Sequence, residues 1–280
     1  MSMQINISPR YSQLTGKPLT PRSFLAQVPG SFVEITGEVR RLDPLGQGIA
    51  NQVFRLVGDE TYVLKIAWGD YRQTELYRAH CIMPVLDEAG LVPVAQSLGL
   101  EVENDFSYQL QTCLPGENLR DITRFSFGKR LGVWRAVGKT LAQIHGLEVR
   151  QIPWDQWLQG QLSQASANMR NSALDPAEFV NIGSPEEVFY RLEEESPEPA
   201  HLCLLHGDFR PKNIMWERDR VVGVIDWDFC DIGHPYYDLA IISYYLQTPE
   251  EKAAFAEGYG KPIDEGLIRF FDLLSKFLNV

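Results

Sequence analysis

The first third of the chain is a succession of short apolar runs separated by turn residues. Apolar and polar positions alternate over much of 35–66, and further apolar runs follow at 92–98 and 107–114. Runs of this kind, bounded by Gly, Asp or Pro, are typical of β-strands. Residues 75–88 instead have apolar positions at helical spacing and are followed by Gly90. The pattern predicts a β-rich N-terminal part with one helix inside it.

The pattern changes after Pro115-Gly116, and the remainder of the chain is mainly helical. Phe127–His145 has apolar residues three and four positions apart, and Gly146 follows as a residue that often ends helices. We expect two or three helices within 151–200. The segments expected to be short strands are 202–205, 214–216 and 221–225. The segments expected to be C-terminal helices are 238–246, 249–258 and 263–277.

Three segments follow from these patterns. Residues 1–34, with four prolines in the first 30, have no sustained period and are interpreted as an irregular lead-in with room for one short helix. A β-rich N-terminal lobe is expected over 35–115 and a mainly helical C-terminal lobe over 116–280. A chain of 280 residues is long enough to bury the core of such a two-lobed α+β fold.

The charge of the chain narrows the classes of partner. The net charge of −11 argues against nucleic acid, because phosphate backbones require surfaces rich in Lys and Arg. Seven of the eleven excess negative charges lie in 151–200. This acidic surplus is compatible with a cationic substrate, although acidity for solubility alone is the commoner explanation.

The four cysteines give no sign of a metal or disulfide site. Cys81, Cys113, Cys203 and Cys230 are far apart, form no C-x-x-C pair and lie in apolar runs, so we expect buried thiols in a reducing compartment. The N-terminus has no basic and apolar leader pattern, and no run approaches the length of a membrane span. We therefore expect a cytoplasmic protein without a membrane partner.

The most specific motif is the run Leu205-His206-Gly207-Asp208-Phe209-Arg210-Pro211-Lys212-Asn213. Asp208 is the candidate general base, since a carboxylate near an acceptor hydroxyl can orient it and take its proton. Asn213 offers a neutral oxygen to Mg²⁺. Arg210 could neutralise charge on a transferred phosphoryl group, or it could be an exposed loop residue. His206 is interpreted as a buried structural hydrogen-bonding residue.

A second acidic motif follows a short apolar strand. Asp226 comes directly after Val224-Ile225, and Asp228 follows two positions later. Mg²⁺ prefers oxygen ligands and usually shares one or two carboxylates with substrate phosphates. Asp226 is therefore predicted to bind the metal, and Asp228 either binds a metal or shapes the loop. An Asp, an Asn five residues later and a D-x-D pair together predict phosphoryl transfer.

These motifs resemble those of the aminoglycoside phosphotransferase and choline kinase family over roughly residues 35–260. The resemblance implies a protein-kinase-like fold, ATP as phosphate donor, Mg²⁺ and a small-molecule hydroxyl as acceptor. It also implies that Asp238, which the sequence alone makes a good helix N-cap, braces the catalytic loop. Protein kinases have Asp-Phe-Gly where this chain has Asp226-Trp227-Asp228, and the chain lacks a following Ala-Pro-Glu element, so a protein kinase is disfavoured.

Lys65 is the candidate phosphate-binding lysine. It lies in the middle of an apolar strand, where an unpaired ammonium group would be costly. Contact with ATP phosphates and with Glu75 of the next helix would resolve that cost. The alternative is a Lys that faces solvent from a half-exposed strand.

Further nucleotide-binding residues are expected near Lys65. Gly46 and Gly48 form a partial Gly-rich loop whose backbone could approach phosphates, and Asn51 follows as it often does in the family. By resemblance, Gln111 and Cys113 belong to the hinge that pairs with the nucleotide base. Whether that base is adenine or guanine, hence ATP or GTP, is left open.

The acceptor is the least specified part of the prediction. An aminoglycoside is the leading candidate, because its ammonium groups could pair with the acidic surplus. Choline, ethanolamine, an amino sugar, a macrolide or homoserine are alternatives within the family. A nucleotide-binding regulatory pseudo-enzyme is the alternative from another class, disfavoured because every reactive position is intact. Both a monomer and a homodimer are compatible with the sequence.

Overall fold

The structure, a computed structural model, describes residues 29–47, 51–68, 70–103, 106–150, 153–171 and 174–278. These residues form two compact units. The first contains the described residues up to Pro115 together with the later segment Gly223–Phe229. The second contains Gly116–Val222 and the described residues from Cys230 onward.

An antiparallel five-stranded sheet forms the framework of the first unit, with strand order β1-β2-β3-β5-β4. The strands are β1 (Arg41–Gln47), β2 (Asn51–Val57), β3 (Thr61–Trp68), β4 (Ser97–Glu103) and β5 (Phe106–Thr112). Two helices accompany the sheet, α1 (Gly30–Thr36) and α2 (Asp70–Ala89). The expected β-rich character of this part of the chain is confirmed.

Alternate residues of the strands build the core of this unit. Phe54, Leu64 and Leu110 are fully buried and face one another across neighbouring strands. Phe32 of α1 joins the same cluster. A Cβ at position 99 would lie 2.7 Å from the ring of Phe32, so Gly99 leaves the space that this ring occupies.

Two expectations for the first unit are wrong. Ile35 belongs to α1 rather than to the first strand, because the helix continues to Gly37, whose φ of 60° ends it. The run 92–98 is not a strand over most of its length, since β4 begins at Ser97. Val94 is nevertheless buried, and it forms an isolated β-bridge with Val224.

The second unit is mainly helical, as expected. Its α-helices are α3 (Phe127–His145), α4 (Trp154–Arg170), α5 (Pro185–Glu194), α6 (Tyr236–Ser243), α7 (Pro249–Tyr259) and α8 (Glu265–Leu278). Its strands are β6 (Glu117–Asn118), β7 (Cys203–Leu205), β8 (Ile214–Glu217), β9 (Arg220–Val224, whose last two residues belong to the first unit) and β10 (Asp231–Gly233). They form a three-stranded sheet, β6-β8-β9, and the antiparallel pair β7-β10.

Two glycines let α3 and α7 cross in close contact. A Cβ on Gly138 of α3 would lie 2.2 Å from the carbonyl oxygen of Phe255. A Cβ on Gly258 of α7 would lie 1.9 Å from the carbonyl oxygen of Arg135. Both obstacles are backbone atoms, which cannot rotate away, so the approach of the two helices requires glycine at both positions.

The cysteines are free thiols in the structure. Cys203 and Cys230 are buried as expected, but Cys81 is exposed, because it lies on the solvent side of α2. Among the described residues, no helix is both long enough and apolar enough to cross a membrane.

Candidate active site

The loop that carries Asp208 (residues 206–213, the catalytic loop) begins where β7 ends. Gly207 has a φ of 78°, in the left-handed region that glycine adopts without strain, and so turns the chain directly before Asp208. His206 is fully buried, and its Nδ1 accepts a hydrogen bond of 3.2 Å from the backbone N–H of Asp208. The structural role expected for His206 is confirmed.

The carboxylate of Asp208 is held by side chains of its own loop. Arg210 forms an ion pair with Oδ1, and the Lys212 ammonium lies 3.2 Å from Oδ2. Because the Asp208 side chain is only 9% exposed, these two cations balance a largely desolvated charge. The Nε atom of Arg210 is buried without a hydrogen-bond partner in the described structure, so this guanidinium retains a donor for another oxygen.

Asn213, a candidate metal ligand, is hydrogen-bonded to the candidate base Asp208. Its Nδ2 donates to the Asp208 backbone oxygen at 2.8 Å and to Asp208 Oδ2 at 2.9 Å. A short 3₁₀ turn over Pro211–Asn213 brings the amide back over Asp208. Since both amide hydrogens have acceptors, the Oδ1 oxygen is the remaining group that could bind a cation.

Asp238 braces the backbone of this loop, as the resemblance implies. Its carboxylate accepts hydrogen bonds from the N–H groups of His206 at 2.7 Å and Gly207 at 2.9 Å. The prediction of a helix N-cap at Asp238 is wrong, because α6 begins at Tyr236 and Pro235 occupies the N-cap position. The Asp238 side chain therefore accepts hydrogen bonds from the catalytic loop and does not cap its own helix.

The D-x-D motif lies on a turn of the first unit with unusual backbone geometry. Asp226 has a φ of 70°, which is costly for a residue with a side chain. The indole N–H of Trp227 donates to the Val224 oxygen at 3.0 Å, and this buried ring anchors the turn. The local structure therefore fixes the direction in which Asp226 and Asp228 point.

Lys65 lies between the two aspartates. Its Nζ is 2.6 Å from Asp226 Oδ1 and 2.7 Å from Asp228 Oδ1. Burial by itself would lower the pKa of Lys65, but the two carboxylates more than offset that effect and hold the pKa above its ordinary value. Lys65 is thus a buried ammonium and does not face solvent.

The other predicted site residues of the first unit differ in burial. Glu75 is buried on α2, and its support of Lys65 stays a prediction. Gln111 is buried in β5 and donates to Gln109 Oε1 at 2.7 Å, so its side chain serves the sheet. Cys113 follows β5 and is partly exposed.

The partial Gly-rich loop is described only at its ends. Gly46 lies in β1 opposite Val53, next to a register shift of the β1-β2 pair. Asn51 is the first residue of β2 and pairs with Ala67. Gly48 lies outside the described residues.

The D-x-D carboxylates fit the requirements of a divalent cation. Asp226 and Asp228 each turn one oxygen toward the same positively charged nitrogen, so their oxygens already converge on a cation. Within the described ranges, no group of three or more His, Cys, Asp or Glu side chains forms a metal cluster. Two converging carboxylates are the kind of ligand set that Mg²⁺ shares with substrate phosphates.

Two polar residues near the catalytic loop were not predicted. His145 lies with its Nε2 3.3 Å from Asp238 Oδ2, and its Nδ1 is 2.9 Å from the hydroxyl of Tyr259. In the sequence, His145 is the last residue of a helical pattern and Tyr259 lies 114 positions later. No local spacing relates these residues to one another, and only the folded structure brings them together.

Comparison with known proteins gives a consistent result. The model of the phosphotransferase enzyme family matches residues 41–271. The aminoglycoside 3'-phosphotransferase of Niallia circulans is 27% identical over 195 residues, which are 67% of this chain and 74% of that protein. Acyl-CoA dehydrogenase family member 11 of Mus musculus is 28% identical over 175 residues, which are 59% of this chain but 22% of that protein.

A solved structure also shares the fold. Aminoglycoside phosphotransferase APH(3'')-Id of Streptomyces rimosus superimposes with a TM-score of 0.72 at 21% identity, over 91% of this chain and 97% of that chain. The same protein has been solved with ADP and streptomycin, and that structure matches with a TM-score of 0.68. At this level of identity the likeness shows the fold alone, and it confirms the predicted α+β, protein-kinase-like class.

Proposed function

The chain belongs to the phosphotransferase enzyme family, and from this premise we propose that it transfers the γ-phosphoryl group of ATP to a hydroxyl of a small molecule. The observation that carries the proposal is the geometry of Asp208, whose buried carboxylate is fixed by Asn213 at 2.9 Å. A base for phosphoryl transfer has to be held in one orientation while it contacts the acceptor hydroxyl. The resemblance predicted from the motifs is confirmed at the level of the family.

The catalytic loop supplies the base and one cation. Asp208 accepts the proton of the acceptor hydroxyl as the bond to phosphorus forms. Arg210 neutralises charge on the phosphoryl oxygens. Lys212, on the same carboxylate, keeps the charge of Asp208 balanced when Arg210 turns to the phosphoryl group.

The donor-side roles belong to Lys65, Asn213 and the D-x-D pair. Lys65 binds phosphate oxygens, and its raised pKa keeps it charged at physiological pH. Asp226, with Asn213 and Asp228, would hold Mg²⁺, which when bound offsets the negative charge of the phosphates. The residues proposed to line the phosphates are Gly46, Gly48 and Asn51. Glu75 is proposed to support Lys65, and the backbone at Gln111 and Cys113 to contact the base of the nucleotide.

For the acceptor we favour an aminoglycoside. The relative from Niallia circulans carries that activity in its name, and the Streptomyces rimosus protein has been solved with streptomycin. The negative charge of 151–200 would attract the ammonium groups of such a molecule.

The experiment that tests the proposal is a phosphotransfer screen with the purified chain, ATP and MgCl₂. Aminoglycosides, macrolides, choline, ethanolamine, amino sugars and homoserine are supplied in parallel, and the phosphorylated product is identified by mass spectrometry. We expect product from at least one hydroxyl acceptor, dependent on Mg²⁺ and abolished by chelation. Nucleotide binding without transfer to any acceptor would favour a regulatory nucleotide-binding module instead.

A further inference from the structure

A series of hydrogen-bonded polar groups leads from α7 to the catalytic loop. The hydroxyl of Tyr259 lies 2.9 Å from His145 Nδ1, and His145 Nε2 lies 3.3 Å from Asp238 Oδ2. The same carboxylate accepts the N–H groups of His206 and Gly207. The side chain of His145 is 6% exposed and that of Asp238 is fully buried, so water has little access to the bond between them.

The chemistry of the groups sets the direction of these hydrogen bonds. An ionised Asp238 can only accept, so Nε2 of His145 must donate to it. In a neutral imidazole Nδ1 then accepts, and the Tyr259 hydroxyl donates. Burial, followed by the neighbouring Cys203, Tyr236 and Asp238, raises the pKa of Tyr259, which therefore keeps the proton that it donates.

The crossing of α3 and α7 fixes the positions of His145 and Tyr259. His145 is the last residue of α3 and Tyr259 the last residue of α7, and their rings meet edge to face at 5.8 Å. Gly138 and Gly258 let the two helices approach closely enough for that contact. Both residues thus belong to helices and not to loops.

We propose that His145 and Tyr259 are positioning residues for phosphoryl transfer. By donating to Asp238, His145 holds the carboxylate in the orientation that fixes the His206-Gly207 backbone, and Tyr259 fixes the tautomer of His145. Asp208 follows Gly207 directly, so its placement depends on that backbone. A buried carboxylate that loses one of its donors reorients or takes up solvent, and the loop loses its fixed position.

Three variants separate the steps. His145→Leu removes both hydrogen bonds of the imidazole. His145→Gln keeps an N–H donor for Asp238, and Tyr259→Phe removes the hydroxyl alone. Tyr62→Phe and His80→Gln are controls in the first unit, where the same exchanges are made at residues that bond Glu60 and Ser97.

The first readout is steady-state kinetics, which rests on the proposed function. We expect His145→Leu to lower kcat about 30-fold and Tyr259→Phe about fourfold, in line with the loss of charged and relayed hydrogen bonds. The KM for ATP should change less than about twofold, because the bonds lost concern only the base side. His145→Gln should match Tyr259→Phe, and combining these two should cost little more than either alone, because both interrupt the same bond.

The second readout needs neither ATP nor acceptor. Hydrogen exchange at the backbone amides of His206 and Gly207 should speed up about tenfold in His145→Leu, less in the two milder variants and not in the controls. If the chain transferred no phosphate, this measurement would still decide the positioning role. Unchanged amide exchange in Tyr259→Phe would overturn the proposal even if His145→Leu failed to fold. Equal kcat values for His145→Gln and a folded His145→Leu would overturn it as well.

Discussion

The candidate base of this protein is held by residues that are its neighbours in sequence. Arg210, Lys212 and Asn213 all contact the Asp208 carboxylate within one turn of loop. Contacts between residues two to five positions apart follow from local backbone geometry, and the motif therefore pointed to Asp208, Arg210 and Asn213, although the ion pair of Lys212 with Asp208 was not predicted. The roles of these residues in transfer remain predictions.

The ion pairs of Lys65 show what local patterns cannot predict. Its partner Asp228 lies 163 positions later, and the interaction depends on how a strand and a distant turn pack. Polarity and spacing identified Lys65 and the D-x-D pair separately. The burial cost of the ammonium predicts carboxylates nearby, and the two aspartates that contact Lys65 were assigned to the metal instead. The role of Glu75 beside Lys65 stays a prediction.

Lys65→Met tests whether the Lys65 ammonium and Mg²⁺ can occupy the same place between Asp226 and Asp228. We expect the free energy of unfolding to fall by about 2–3 kcal/mol, less than for a fully buried pair, because the Asp226 side chain is 30% exposed. MgCl₂ should then raise the Tm of Lys65→Met more than that of the unchanged protein, since the metal can replace the cation between the carboxylates. Thermal denaturation with and without MgCl₂ measures both effects, and equal Mg²⁺ responses would contradict the assignment of the metal site.

At the scale of elements, helical periodicity predicted α3 with its observed bounds, because its buried face and the following glycine are both local signals. The apolar run 92–98 was wrongly predicted as a strand, because Val94 is buried in a segment where it forms an isolated β-bridge with Val224. The close crossing of α3 and α7 was not predicted either. A glycine in a helix is ordinarily a weakening residue, and only the facing backbone explains these two.

The crossing predicts opposite effects for glycine substitutions. Gly258→Ala places a methyl group against a backbone oxygen and should lower the free energy of unfolding by about 2–3 kcal/mol. Gly132→Ala, on an exposed part of α3 with open space around it, should raise that free energy by about 0.5–1 kcal/mol through better helix propensity. Chemical denaturation of the two variants provides the comparison. A neutral Gly258→Ala would show that the helices can move apart at no cost.

At the scale of the whole molecule, the chain order does not coincide with the compact units. Gly223–Phe229 groups with the first unit, where Val224 donates its N–H to Pro93 at 3.1 Å. A division of the sequence at Pro115-Gly116 cannot include such a return. The segment carries the D-x-D motif, so the sequence predicted its chemistry and not the unit to which it belongs.

The stability of the whole protein should fall in mild acid because of one histidine. His234 is buried, stacks on Phe271 at 4.5 Å, and accepts the Tyr236 N–H at Nδ1. Burial, together with the nearby His145, lowers the pKa of His234 to about 4 from an ordinary value of 6.5. Between these two values the unfolded chain binds more protons than the folded one, so the free energy of unfolding decreases as the pH falls.

We expect this contribution to amount to about 2–3 kcal/mol between pH 6.5 and 4. His234→Asn is the control, because its amide oxygen can accept the Tyr236 N–H but does not titrate in this range. Urea denaturation across this pH window should give a shallower pH dependence for His234→Asn. Parallel curves for the two proteins would show that His234 is not buried in its neutral form.

The central claim, that Asp208 is the base of a phosphotransferase, is tested most directly by Asp208→Ala. Turnover and nucleotide affinity are measured on the same preparation, with the acceptor found in the screen. We predict that kcat falls at least about 100-fold, as expected when a positioned base is lost, while the Kd for Mg-ATP changes less than about threefold. Retention of turnover within a few-fold of the unchanged protein would contradict the assignment of Asp208.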